Sequence, residues 1–167
     1  MSNLMVTNIN NIPAVPFASQ LAHFRYEEVD DVVGTSLSAG WNIVPLNTEK
    51  TNLVESLVFD DVNHQLSLPV GTYFIMSFVP AHLSDQSRVG IYDVTNSQYL
   101  DAGSTLQSWD QPASSVLCPL ITTLTFSVAT VIELRMSCSN SGTYGNYNNH
   151  GDGLKEVFGD LMMWKVA

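Results

Sequence analysis

The chain has 167 residues, of which 45% are hydrophobic and only 13% charged, and its six basic residues stand against sixteen acidic ones for a net charge of −10. That length and hydrophobic share suit one globular domain with its own core and exclude a disordered chain. The basic residues Arg25, Lys50, Arg88, Arg135, Lys155 and Lys165 are scattered singly, which excludes binding to a nucleic-acid backbone and argues against an anionic membrane surface.

Residues 1–16 are set apart from the rest. They are Asn-rich and polar, carry Pro13 and Pro16, and intersperse Met5, Val6, Ile9, Ile12, Ala14 and Val15. Proline at two positions stops a helix and suits an extended arm, and the apolar residues suit one that lies on a neighbour; a frayed terminus is the alternative. The opening stretch lacks the basic region and continuous apolar core of a signal peptide. No segment has the apolar length needed to span a bilayer. The expectation is a protein assembled in a cytoplasm.

From residue 17 onward, β-type runs come regularly between Gly, Pro, Asn, Asp and Ser, and sustained helical spacing is absent. The predicted strands cover 17–28, 40–46, 55–59 and 65–68, with a turn over 60–64. Residues 71–80, reading GTYFIMSFVP, are apolar on both faces, as a central sandwich strand is. Strands are then predicted at 88–94, 98–102, 116–121, 123–128, 131–136 and 157–166. Eight to ten strands at this spacing predict a sandwich or barrel. Two of the runs are apolar on both faces, so one face each must be covered by something outside the inter-sheet core, and a second subunit does this most simply.

The search for chemistry yields no catalytic set. Residues 34–40, GTSLSAG, fall out of register for a nucleophile elbow and no helix follows them, so they read as a loop. The four histidines, His23, His64, His82 and His150, lack the partners of a helical zinc site. Asp152 is the one charged residue beside His150, too few for calcium. The acidic groups at 27–31 and 60–61 read as solvated turns. Cys118 and Cys138 lie in apolar runs and read as buried thiols, with a bridge between them left open. No metal, cofactor or catalytic residue is expected. Residues 139–153 form a Gly/Asn loop whose Tyr144, Tyr147, His150 and Asp152 make a candidate recognition surface of rigid aromatics among adaptable polar groups.

The stretch Gly40-Trp41-Asn42-Ile43-Val44-Pro45-Leu46-Asn47-Thr48 with Asn52 resembles the G-W-x-x-x-x-L-N-T…N stretch of C1q-like/TNF-like jelly-roll domains in tailed-bacteriophage virion proteins. The run Leu68-Pro69-Val70-Gly71-Thr72-Tyr73, then Pro80-Ala81, then Arg88-Val89-Gly90-Ile91-Tyr92-Asp93-Val94-Thr95 is similar to the family's next motifs in the same order. The likeness extends over about residues 20–166. It implies an all-β jelly-roll sandwich of about ten antiparallel strands over residues 17–167, a homotrimer and no enzymatic activity. Phe24, Tyr26, Tyr73 and Trp164 are the contributors expected at the trimer interface.

Fibre-tip members of the family follow a long stalk, whereas this chain has only the 1–16 arm. The first functional expectation is therefore a non-enzymatic capsid decoration (cement) protein on the virion exterior. Its partner would be the major capsid protein, contacted through Met5, Ile9, Ile12 and Val15. The alternative is a trimeric fibre or receptor-binding protein that recognises a host surface glycan through the 139–153 loop.

Overall fold

The computed structural model describes residues 20–108, 115–145 and 151–167, and every structural statement below concerns these. The arm with Met5, Ile9, Ile12 and Val15 lies outside them, as do Tyr147 and His150. In chain order the first strands are β1 (Leu21–Glu28), β2 (Ser36–Leu37), β3 (Gly40–Ile43), β4 (Thr48–Asn52), β5 (Val58–Asp60), β6 (Gln65–Leu68) and β7 (Gly71–His82). The remainder are β8 (Asp85–Asp93), β9 (Gln98–Ala102), β10 (Leu106–Ser108), β11 (Ser115–Phe126), β12 (Thr130–Cys138), β13 (Gly142–Tyr144) and β14 (Glu156–Lys165).

Two seven-stranded antiparallel sheets result. The first runs β2-β13-β7-β14-β1-β4, with β11 on the free side of β7; the second runs β10-β8-β12-β6-β5, with β3 added to β12 and β9 to β8. Side chains of both sheets meet in one core. Ala22, Phe24, Tyr26, Tyr73, Ile75, Val79, Leu161 and Met163 come from the first sheet, and Leu66, Val89, Ile91, Ile132, Leu134 and Met136 from the second. Phe24 and Phe59 bridge the layers with ring centroids 4.9 Å apart. This is the all-β jelly-roll sandwich expected from the sequence.

The local chemistry explains the turns. The Asp60 carboxylate accepts the Val62 and Asn63 amides at 3.0 and 2.9 Å, closing β5 onto β6. Asp93 accepts the Asn96 amide at 2.9 Å and closes β8 onto β9 in the same way. An Asx side chain here stands in for a backbone turn bond.

Several boundaries differ from the sequence reading. The runs predicted at 116–121 and 123–128 are one strand, β11, paired along its whole length with β7 from Ser115↔His82 to Phe126↔Gly71. Nothing breaks it at Thr122, because the long partner supplies a continuous ladder. Strands β2, β4, β10 and β13 were not predicted. They are short and polar, and they take their place from the strands beside them instead of from their own composition.

Candidate functional site

The outer face of the first sheet is built by alternation along β7. In β7, Tyr73, Ile75, Ser77 and Val79 are buried, while Phe74, Met76, Phe78 and Pro80 point the other way and are half-buried. The register sets Met162 opposite Met76 and Trp164 opposite Phe74 on β14. On the other side Ile121 faces Met76, Pro119 faces Phe78 and Leu117 faces Pro80. Leu117 is 55% exposed and Ile121 60%. The Phe74 and Trp164 rings lie 5.9 Å apart. Three adjacent strands, β11, β7 and β14, thus present one apolar surface directed away from the core.

A polar cluster bounds this surface on the β1 side. Asp160 contacts the His23 ring at 2.6 Å and accepts from Arg25 Nε at 2.7 Å. Next to it, Glu27 is buried and gathers Arg25 at 3.4 Å, Lys50 at 3.1 Å and Lys155 at 3.3 Å. Burial by itself pushes the Glu27 carboxyl up, but hydrogen bonds from Lys50 and Lys155 outweigh it and hold the group below the usual carboxylate range. Half of the chain's basic residues are thus spent on one carboxylate, which sequence scatter concealed.

Of the four residues expected at a subunit interface, only Trp164 lies on this face. Phe24, Tyr26 and Tyr73 are 0–1% exposed within the sandwich and cannot face a neighbour. Their parity decides it: each shares its side of the strand with core residues. The Tyr26 hydroxyl accepts the Thr35 amide at 3.0 Å, and the Tyr73 hydroxyl donates to the Pro69 carbonyl at 2.8 Å. Burial pushes the Tyr73 phenol up to about 12. The residues the sequence reading missed are Phe74, Met76, Phe78, Met162, Leu117 and Ile121. The signal was present as the doubly apolar strand; it needed the other parity.

The recognition loop is also corrected. Tyr144 belongs to β13, is 1% exposed, packs edge-on against Tyr26 at 5.7 Å and donates to the Ile43 carbonyl at 2.9 Å. It is a core residue, because pairing of β13 with β7 draws it inward. Asp152 is exposed and accepts the Leu154 amide at 2.9 Å, closing a local turn. Cys118 and Cys138 are free and buried. Burial, with a smaller contribution from Cys138, pushes the Cys118 thiol up to about 12. Among the described residues no three His, Cys, Asp or Glu side chains are grouped to hold a metal, and no helix is long and apolar enough to cross a membrane.

No family model matches the chain, and no curated protein matches it in sequence. Solved structures do match in fold. The S. frugiperda Eiger TNF structure superposes with a TM-score of 0.59 at 12% identity, covering 89% of this chain and 92% of that one. The globular domain of zebrafish complement 1qA gives 0.56 at 7% identity, covering 89% and 98%. Murine APRIL gives 0.55 at 12% identity, covering 88% and 98%. The fold is therefore that of the C1q/TNF-like jelly rolls.

Proposed function

We propose that the chain is a non-enzymatic structural protein that assembles as a homotrimer through the outer face of its first sheet. One observation carries this reading: the contiguous apolar surface of Phe74, Met76, Phe78, Leu117, Ile121 and Met162. A monomer in water has no use for such a surface, and a second copy covers it with like chemistry. It runs from the central strands β14 and β7 out to the edge strand β11, and its apolar character suits the core of an interface.

The setting we propose is the exterior of a phage capsid, with the trimer acting as a decoration protein that binds the major capsid protein and stabilises the head. The sequence likeness of 40–52 and 68–95 to phage virion domains supports the setting. The apolar residues of 1–16 supply the element that reaches the lattice. Sedimentation equilibrium of the full chain is expected to return the mass of three copies of the 18.3 kDa protomer. Deleting 1–16 is expected to leave that mass ratio intact and abolish binding to undecorated heads in a pelleting assay. A monomeric mass overturns the trimer; normal decoration by the truncated protein overturns the role of the arm.

A further inference from the structure

The outer face of the second sheet carries an aromatic group that the core does not use. Trp41 on β3 reaches across β12 to Gly90 on β8, where a Cβ would stand 3.0 and 3.2 Å from indole Cη2 and Cζ3. Glycine is what lets the ring come this close. The indole stacks on Tyr99 at 4.2 Å with 28° between planes, and Tyr99 meets Tyr92 edge-on at 4.9 Å. Arg135 lies 3.5 Å over Tyr92 and is held by Glu133 at 2.7 Å. Tyr99 remains 39% exposed.

Arg88 joins this group to a cleft of about 230 Å³. Its guanidinium carbon lies 5.5 Å from the Trp41 ring centre, and Arg88 lines the cleft with Gln86, Thr105, Ser137 and Ser139. The cleft rim is fixed. Ser139 donates to Asp85 at 2.8 Å and accepts the Gln86 amide at 3.0 Å, and Gln107 donates to Asp85 at 3.0 Å. Leu83 and Asp85, at the β7–β8 bend beside it, both take left-handed backbone angles, φ 57° and 56°. Two non-glycine residues so close together in that region are strain held in place by the surrounding structure.

The charge pattern selects the ligand. Arg25, Lys50 and Lys155 surround Glu27, and Arg135 is paired with Glu133. Arg88 is exposed and has no carboxylate at ion-pair distance among the described residues, in a chain with sixteen acidic side chains. A cleft-lining guanidinium with no carboxylate partner among the described residues suits a carboxylate ligand. Serine and threonine hydroxyls, the Gln86 amide and Cys138 line the remainder, and the hydroxyls and amide both donate and accept, as a polyol requires. The part of Tyr99 that stays exposed beside Trp41 offers apolar ring surface to the C–H side of a sugar. The cleft has no apolar pocket for a peptide side chain, and its volume falls below the roughly 300–1,000 Å³ of drug-sized sites, so it takes one ring.

We infer that Arg88, the Gln86–Thr105–Ser137–Ser139 cleft and the Trp41–Tyr99 pair form a binding site for a carboxylate-bearing sugar of a glycan. This moves glycan recognition from the 139–153 loop to the second sheet. The site lies on the opposite sheet from the trimer face, so it stays open in the trimer and does not depend on it.

The test is an amide and indole NMR titration of the full chain with sodium glucuronate, glucose and sodium acetate in parallel. Glucuronate is expected to shift the Trp41 indole N–H and the Ser137 and Ser139 amides saturably. Arg88→Gln should weaken that binding about tenfold, as loss of a charged hydrogen bond does, and Tyr99→Ala several-fold, about what loss of an aromatic contact costs. Glucose should bind more weakly and be indifferent to Arg88→Gln. Equal affinity for glucose, the same shifts with acetate at the same affinity, no saturable shift with glucuronate, or unchanged binding by Arg88→Gln each overturns the inference. The sedimentation mass of the same sample reports separately on the trimer.

Discussion

At the scale of single residues, the pH dependence of stability rests on Glu27. Its folded pKa is held below the usual value of 4.5 by Lys50 and Lys155 against the effect of burial. A depressed carboxylate stabilises the fold fully above its unfolded pKa and loses that contribution as pH falls through the folded value. The melting temperature of Glu27→Gln is therefore expected to lie below wild type at pH 7, by the equivalent of about 1–2 kcal/mol, as for a partly exposed ion-pair network that loses its central charge. The gap should narrow as pH drops below 4.5. Scanning calorimetry of both proteins from pH 7 to pH 3 checks it, and a gap that widens on acidification refutes the assignment. Asp60 and Asp85 are also held low, by hydrogen bonds, so the difference between the two proteins is the informative quantity.

At the scale of elements, the junction of β1, β13 and β14 shows how a register irregularity makes core. Tyr26 pairs with Gly159 and Glu27 with Val157, which leaves Phe158 as the extra residue of a bulge. Phe158 is consequently buried although it shares parity with the outward Met162 and Trp164, and its ring lies 5.5 Å from Tyr26. Gly145, just past β13, makes room for it. Its φ is 66°, and a Cβ there would stand 2.4 Å from the Phe158 ring. Gly145→Ala is expected to cost about 2 kcal/mol or more, since it meets backbone strain and a rigid ring together. Chemical denaturation measures the loss; a cost within about 0.5 kcal/mol, the range of an ordinary surface change, would contradict this packing. Nothing in the residue pattern marks this bulge, since simple alternation groups Phe158 with Met162 and Trp164.

At the scale of the whole molecule, each sheet has an inner face committed to the shared core and an outer face free for other uses. The first sheet's outer face is apolar and the second's is aromatic, polar and cationic. Ile121→Glu sets a charge on the β11 side of the apolar face, beside Met76, at a position 60% exposed in the protomer. The variant is expected to fold with an unchanged far-ultraviolet spectrum and to sediment as a monomer where wild type is a trimer. A variant that remains trimeric would show that assembly uses another surface.

The sequence by itself determined the fold class, and it did so through local physics. Period-two alternation in β6 and β12, the Asx turns at Asp60 and Asp93, and proline and glycine punctuation all act over a few residues, so they can be read without the fold. The doubly apolar 71–80 run likewise announced a face in need of cover. Tertiary structure alone decided which residues form that face. Tyr73 and Phe74 are neighbours of similar composition, and only the position of the second sheet tells which one points inward. The same holds for Tyr144, whose polar surroundings suggested a surface loop until its pairing with β7 drew it into the core. It holds again for the scattered cations. Arg25, Lys50 and Lys155 meet at Glu27, and Arg88 meets Trp41, because strands distant in the chain lie side by side in the sheets. Charge and stacking act through space, and separation along the chain carries no record of that distance.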